Sequence, residues 1–171
     1  MKEYNFEDGE FDIKQLEATS MTTIDYIKAH RGLVIPCHDV FIQYKNGILL
    51  VKRLNFPAKD ILWPIGGRIK RGINVENSLR EKVLSEANLE LEDIVELGYA
   101  RTYFKTDPFN HGKGTDTINF VYFSKGKGTL NLDKLHEEPT IVLPYNYHKN
   151  YRDKLHPYVK DYMDLAIKLV T

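Results

Sequence analysis

The chain has 171 residues, 42% of them hydrophobic, enough for one globular domain with a substantial core and too few for two comfortable ones. Its 24 Lys and Arg balance 24 Asp and Glu, so no excess basic field draws it onto nucleic acid or an anionic membrane, and any anion must be met by a local cluster. Cys37 is the single cysteine, which excludes an internal disulfide and fits a reducing compartment. The opening stretch MKEYNFEDGEF interleaves charges with aromatics and has no apolar signal-sequence core, and nowhere do 18 apolar residues run together. A cytoplasmic protein without nucleic-acid or membrane partners is the expectation.

In chain order, residues 1–20 are polar and acidic, and TTIDYIKAH (22–30) has the spacing of a short helix stopped near Gly32. GLVIPCHDVFIQY and ILLVKRL read as two antiparallel strands joined at Asn46-Gly47, a strong hairpin signal. A loop, FPAKDILWPIGG, leads through a basic turn to a helix from Val75 to Ala87. Its Val75, Leu79, Val83 and Ala87 share one face, Asn74 can cap its start, and Asn88 can take the left-handed stop. IVELGYARTYF (94–104) and TINFVYF (117–123) are β-branched and aromatic strands around the turn-rich loop KTDPFNHGKGTD, and TIVLP (140–144) reads as a fifth strand. Pro157 can open a final helix with Tyr158, Tyr162, Leu165, Ala166 and Leu169 on one side. Strands mixed with two or three helices indicate an α+β domain, with a 1–32 segment before it and a helix in 145–171 packed back onto it.

The stretch from the glycine pair into the helix resembles the Nudix box, in which a glycine loop precedes a helix bearing an Arg and several Glu residues. Laid on that pattern from Gly67, the first Glu falls on Ile73, the Arg on Glu81, the next Glu on Lys82, the last pair on Ser85 and Glu86, and the closing glycine on Asn88. Only Glu86 is kept, so the box is degenerate. One branch, the GDP-mannose mannosyl hydrolases, has a reduced box that retains the last acid. The chain is most similar to that branch through VKRLNFPAKDILWPIGGR (51–68), GTDTINFVYF and DKLHEEP (133–139), over roughly residues 33–143.

The resemblance implies a Nudix fold, a mixed β-sheet between helices over 33–144. It also implies hydrolysis of a nucleoside-diphosphate sugar, with water attacking the anomeric carbon and Mg²⁺ or Mn²⁺ as cofactor. Carried over by position, Glu86 and Gly66 would hold the metal. His136, in its loop, would be the general base, histidine being the side chain that changes charge around neutrality. Asp39 would support the oxocarbenium-like sugar, and Arg68 and Arg53, with Lys52, would neutralise the departing diphosphate, while Asp116 would contact substrate. Relatives pair through N-terminal segments, which implies a homodimer.

One carboxylate can suffice for Mg²⁺ when waters and phosphates complete its shell. Glu81 stands about 140° round the helix from Glu86 and reads as solvated, so the two cannot share an ion. Two departures from the family matter: Leu135 replaces a metal-binding glutamine, and Glu81 replaces the box arginine unless Arg80 covers for it. They motivate a rival reading, a Nudix-fold nucleotide-sugar binding or regulatory protein. A nucleoside triphosphate hydrolase is disfavoured by Lys82 and Ser85. His111 and Asp107 are weaker candidates for a sugar pocket, ordinary turn residues being the duller account. The aromatic and basic run 145–158 reads as packing of the tail, since a neutral chain argues against a nucleic-acid surface.

Overall fold

The computed structural model describes residues 1–4, 12–16 and 21–171. Residues 5–11 and 17–20, part of the segment where a dimer contact is expected, lie outside the described residues. Helix α1 (Thr23–Gly32) starts at Thr22, whose hydroxyl accepts the Asp25 N–H at 3.2 Å, and ends at the anticipated glycine. It buries little: Ile24 is exposed, and His30 is the helix's one buried residue.

Strands β1 (Ile35–Tyr44) and β2 (Gly47–Arg53) form the expected hairpin. Tyr44 pairs with Gly47, so the turn falls on Lys45 and Asn46, and the positive φ of 57° belongs to Lys45. Gly47 serves a different purpose from the one its Asn-Gly context suggests. A Cβ there would lie 2.6 Å from the Val142 carbonyl oxygen on the neighbouring strand.

The anticipated loop before the helix instead contains two short strands, β3 (Leu62–Trp63) and β4 (Ile65–Arg68), so the glycine pair is part of a sheet. Helix α2 (Val75–Ala87) has the expected caps: Asn74 Oδ1 accepts the Asn77 N–H at 2.8 Å, and Asn88 turns left-handed at φ 55°. Strands β5 (Glu90–Phe104) and β6 (Thr115–Lys127) run longer than their apolar cores at 94–104 and 117–123. Strand β7 (His136–Val142) begins four residues before the apolar run, because pairing with β2 continues through the charged residues.

The sheet order is β3-β2-β1-β6-β5, with β4 also on β1 and β7 on β2; β1 and β6 are parallel and the other pairs antiparallel. One face packs Val40, Ile42 and Leu49 against Leu79, Val83 and Ala87 of α2. Beyond β7 the chain makes one helical turn, α3 (Pro144–Asn146), then tight turns to α4 (Pro157–Ala166). The other face packs Phe41, Leu50 and Val121 against Val159 and Met163 of α4, each of which contributes roughly 2 kcal/mol by leaving water. This is the α+β sandwich, a mixed sheet between helices.

The buried face of α4 is Tyr158, Val159, Met163 and Ala166, with Tyr162 packed beside it, whereas Leu165 and Leu169 are exposed, contrary to the expected stripe. Tyr158 sets the rotation. Its ring stacks on Trp63 at 5.1 Å and its hydroxyl reaches into the sheet. Among the described residues no helix is long and apolar enough to cross a membrane.

Gly66 pairs with Asp39, and a Cβ at Gly66 would collide with the Asp39 carboxylate and the His38 carbonyl. Gly66→Ala should therefore cost on the order of 3 kcal/mol or more, while Gly32→Ala, with nothing within 4 Å of the added carbon, should change stability by less than about 0.5 kcal/mol. Urea unfolding of the two variants beside the parent measures both.

Candidate active site

A cavity of about 430 Å³ opens where β1, β4 and β6 meet under α1. Alternation along the strands selects its lining. Cys37 and Asp39 of β1, Thr115, Thr117 and Asn119 of β6, and Thr102 of β5 point inward. Thr102 and Thr117 share a 2.6 Å hydroxyl hydrogen bond, and the Asn119 amide donates to them at 3.0 and 3.1 Å, giving one wall a buried polar ladder. Trp63 and Phe104, 5.8 Å apart, form an apolar floor. A larger hollow of about 680 Å³ lies between β5 and α4, but it contains neither Arg53 nor Asp39, both of which line the smaller cavity.

Asp39 is almost fully buried and accepts the Tyr158 hydroxyl on Oδ2 at 2.6 Å. Burial pushes its carboxyl up to about 6, with Glu86 adding to the rise and the Tyr158 bond and the Arg53 charge opposing it. Arg53, at the end of β2, donates through Nη2 to Asn55 at 3.2 Å and leaves Nε buried without a partner. Its charge acts on both Asp39 and Glu86, so these three residues form one electrostatic cluster. Arg68 lines the cavity mouth with its guanidinium 4.2 Å over the Tyr26 ring. Tyr26 and His30 of α1 pack edge-on against Phe109 at 5.2 and 5.3 Å, which closes the cavity between α1 and the loop before β6.

Glu86 is 8% exposed and faces inward from the last turn of α2. Burial raises its carboxyl above the ordinary value, while Lys82 and His136 pull it back. His136 comes near because the preceding loop caps α2: the Asn131 and Asp133 N–H groups donate to the Ala87 and Glu86 carbonyls, both at 3.0 Å. Rather than sitting in a loop, His136 opens β7 opposite Arg53, is 8% exposed, and bonds through Nδ1 to Asp133 Oδ1 at 2.7 Å.

Other expected residues lie elsewhere. Asp116 is on the outer face of β6, held by both arms of Arg101 at 3.0 and 2.9 Å, because its inward neighbours are Thr115 and Thr117. Lys52 pairs with Glu137 and Glu138 at 3.3 and 3.1 Å, away from the lining. Glu81 is exposed and paired with Lys70 at 2.9 Å, and Arg80 donates to the Leu91 carbonyl, so Arg80 does not replace the missing box arginine. Asp107 accepts the N–H groups of Phe109, His111 and Gly112, and His111 meets His30 at 2.8 Å; both order the loop while its Phe109 reaches the cavity.

The expected metal ligands do not compose a divalent site. Glu86 Oε2 is buried without a partner, which would suit a cation, but Oε1 already holds the Lys82 ammonium at 3.2 Å. No second carboxylate stands beside it on the helix, and among the described residues no group of three or more His, Cys, Asp or Glu is placed to bind an ion. A divalent ion about 4 Å from that ammonium would face repulsion on the order of several kcal/mol. Gly66 contributes through its missing side chain against Asp39.

No family model matches the sequence, and no curated protein does. Solved structures do. A MutT Nudix hydrolase from Burkholderia pseudomallei matches with a TM-score of 0.60 at 18% identity, over 81% of this chain and 99% of its own. The chain has the Nudix fold. A MutT protein from Methanosarcina mazei Go1 matches with a TM-score of 0.60 at 15% identity, over 80% and 94% of the two chains. The Nudix domain of Shewanella oneidensis NrtR, solved with ADP ribose, matches with a TM-score of 0.60 at 13% identity, over 88% and 100%.

The sequence reading missed Tyr26, Tyr158 and the Thr102–Thr117–Asn119 ladder. The ladder had a signal, polar residues at every second position of an otherwise apolar strand, while Tyr158 and Tyr26 are remote in sequence and had none. Asp39 supplies a pH test. Its folded pKa lies above the unfolded value of about 3.9, so the folded state takes up the proton first and Asp39 destabilises the fold above about pH 6, an effect that fades as pH falls toward 4. Asp39→Asn should raise stability by on the order of 2 kcal/mol at pH 7.5, with the gain shrinking at pH 5, as read by thermal unfolding at both values.

Proposed function

We propose that the protein hydrolyses a nucleoside-diphosphate sugar of the GDP-mannose kind, with water attacking the anomeric carbon and the nucleoside diphosphate departing. The observation that carries this reading is the Asp133–His136 pair. A carboxylate oxygen 2.7 Å from Nδ1 keeps the proton on that nitrogen, which leaves the lone pair of Nε2 free to take a proton from water. Asp133 Oδ1 also accepts the Leu135 N–H at 2.9 Å, so the carboxylate that orients the ring is itself held.

The cavity lined by Arg53, the strand partner of His136, suits the same substrate. Arg53 and Arg68 offer guanidinium groups to a departing diphosphate, whose charge they would neutralise as the bond breaks. Asp39, ionised above about pH 6, would stabilise positive charge developing on the sugar ring. The aromatic floor and the polar ladder supply an apolar face and hydrogen-bonding groups of the sort a sugar or base requires. The ADP ribose held by the Shewanella domain supports a nucleoside diphosphate joined to a sugar as the ligand class. No step here passes through a metal, because the donor set around Glu86 does not suit one.

The Lys82–Glu86 pair favours a second reading, a regulatory or binding module that holds the nucleotide-sugar without cleaving it. Turnover separates the two. Incubation with GDP-mannose, GDP-glucose and ADP-ribose in H₂¹⁸O should place the label in the sugar, and His136→Gln should lower kcat at least about 100-fold with little change in KM. Label in the phosphate would mean attack at phosphorus, and ligand-induced stabilisation without turnover of any compound would establish the binding module.

A further inference from the structure

We propose that Lys82 stands in for a divalent ion: its ammonium is the resident cation that holds an anionic diphosphate at the Gly67 edge of this cavity, and Glu86 anchors that ammonium instead of ligating metal. The proposal rests on the nucleoside-diphosphate reading above and concerns how the ligand's charge is met.

The placement is the first support. Lys82 and Glu86 are one turn apart on α2, and Nζ lies 3.2 Å from Oε1. Lys82 occupies the position where the box pattern has an acid, so the local charge changes from −1 to +1. An acid carrying a divalent ion also sums to +1, and the lysine thus reaches the same local charge without the ion. An ammonium presents three donors and no acceptor, which suits phosphate oxygens.

The second support is what the ammonium lies against. A Cβ built on Gly67 would be 3.5 Å from both Cε and Nζ of Lys82, so the side chain runs along the glycine strand that lines the cavity. Gly67 has a φ of 152° and no side chain to separate them. Arg53 of β2 and Arg68 of β4 line the cavity that Gly67 also lines, and the charges of both and of Lys82 are felt at Cys37 within it.

The third support is unsatisfied chemistry. Arg53 Nε is a buried donor with no partner, and Glu86 Oε2 is a buried acceptor with none. Leaving such groups unpaired is unfavourable, so both are poised for an incoming group. A diphosphate oxygen satisfies Arg53, and a ligand hydroxyl or a water it orders satisfies Glu86.

The test uses inorganic pyrophosphate, which needs no knowledge of the base or sugar, and Mn²⁺ alone. In calorimetry the unaltered protein should bind pyrophosphate equally well in EDTA and in excess Mg²⁺, and should bind no Mn²⁺ when that ion is titrated alone and followed by electron paramagnetic resonance. Lys82→Met should weaken pyrophosphate binding in EDTA at least tenfold, and Lys82→Arg should preserve it. Lys82→Glu should acquire Mn²⁺ binding and then require that ion to hold pyrophosphate. Circular dichroism checks that each variant folds, and the EDTA comparison on the unaltered chain decides the matter if a variant does not. The proposal is overturned if the unaltered chain binds no pyrophosphate, if EDTA abolishes that binding, or if the chain binds Mn²⁺ in a way that Glu86→Gln removes. Failure of sugar release in H₂¹⁸O would sink the hydrolase reading while leaving these binding results standing, so the two failures are distinguishable.

Discussion

Gly66 lies so close to Asp39 that no side chain larger than hydrogen fits, and this contact sets the position of everything around the cavity. It lets β4 lie flat on the N-terminal half of β1, a half that β2 leaves unpaired because the hairpin pairs only near its turn. With β4 in place, Trp63 is carried onto Tyr158 on one side and Arg68 onto Tyr26 on the other. The start of α2 is tied to the same region through Ser78, which accepts the Lys70 N–H at 2.8 Å and meets the buried His38 ring at 2.8 Å. Burial drives His38 down to about 4, so at neutral pH this link between strand and helix is uncharged and adds no further positive charge beside Lys82.

Around that frame the molecule gathers charge in a place where charge is costly. Asp39 and Glu86 are both buried, both are pushed toward protonation by the loss of water, and the Glu86 charge raises Asp39 further. Arg53 and Lys82 keep the arrangement tolerable by facing them from two different elements. Structural needs alone would be met more cheaply by apolar side chains of the same size. Clusters of partly paired, buried ions beside a cavity are a general mark of functional sites, which are commonly less stable than their surroundings.

Much of the fold was legible because local rules and tertiary packing agree. The stripe on α2, its two asparagine caps, the first hairpin and the two long strands are each dictated by periodicity or by a residue able to take a left-handed turn. Where they disagree, local pattern points away from the folded structure. Residues 56–67 look like a loop because two prolines and a glycine pair punctuate them, yet Leu62–Trp63 and Ile65–Arg68 pair as strands once β1 and β2 provide edges. The face of α4 was displaced because a hydrogen bond from Tyr158 to a residue 119 positions away outranks its own apolar periodicity.

The sequence by itself determined the alternation of strands with helices, the glycine pair ahead of a capped helix, and the loss of all but one box acid, since these depend only on residue type and spacing. It also brought Asp39, Arg53, Arg68, Glu86 and His136 forward as candidates through their setting in the motif. Only the tertiary structure decided which of them meet. Asp116 faces away because a strand presents alternate residues to opposite sides, and a shift of one position reverses the outcome. Lys82 turns toward Glu86 and Gly67 because helical pitch stacks residues four apart, and the strand beneath has no side chain to keep the ammonium out.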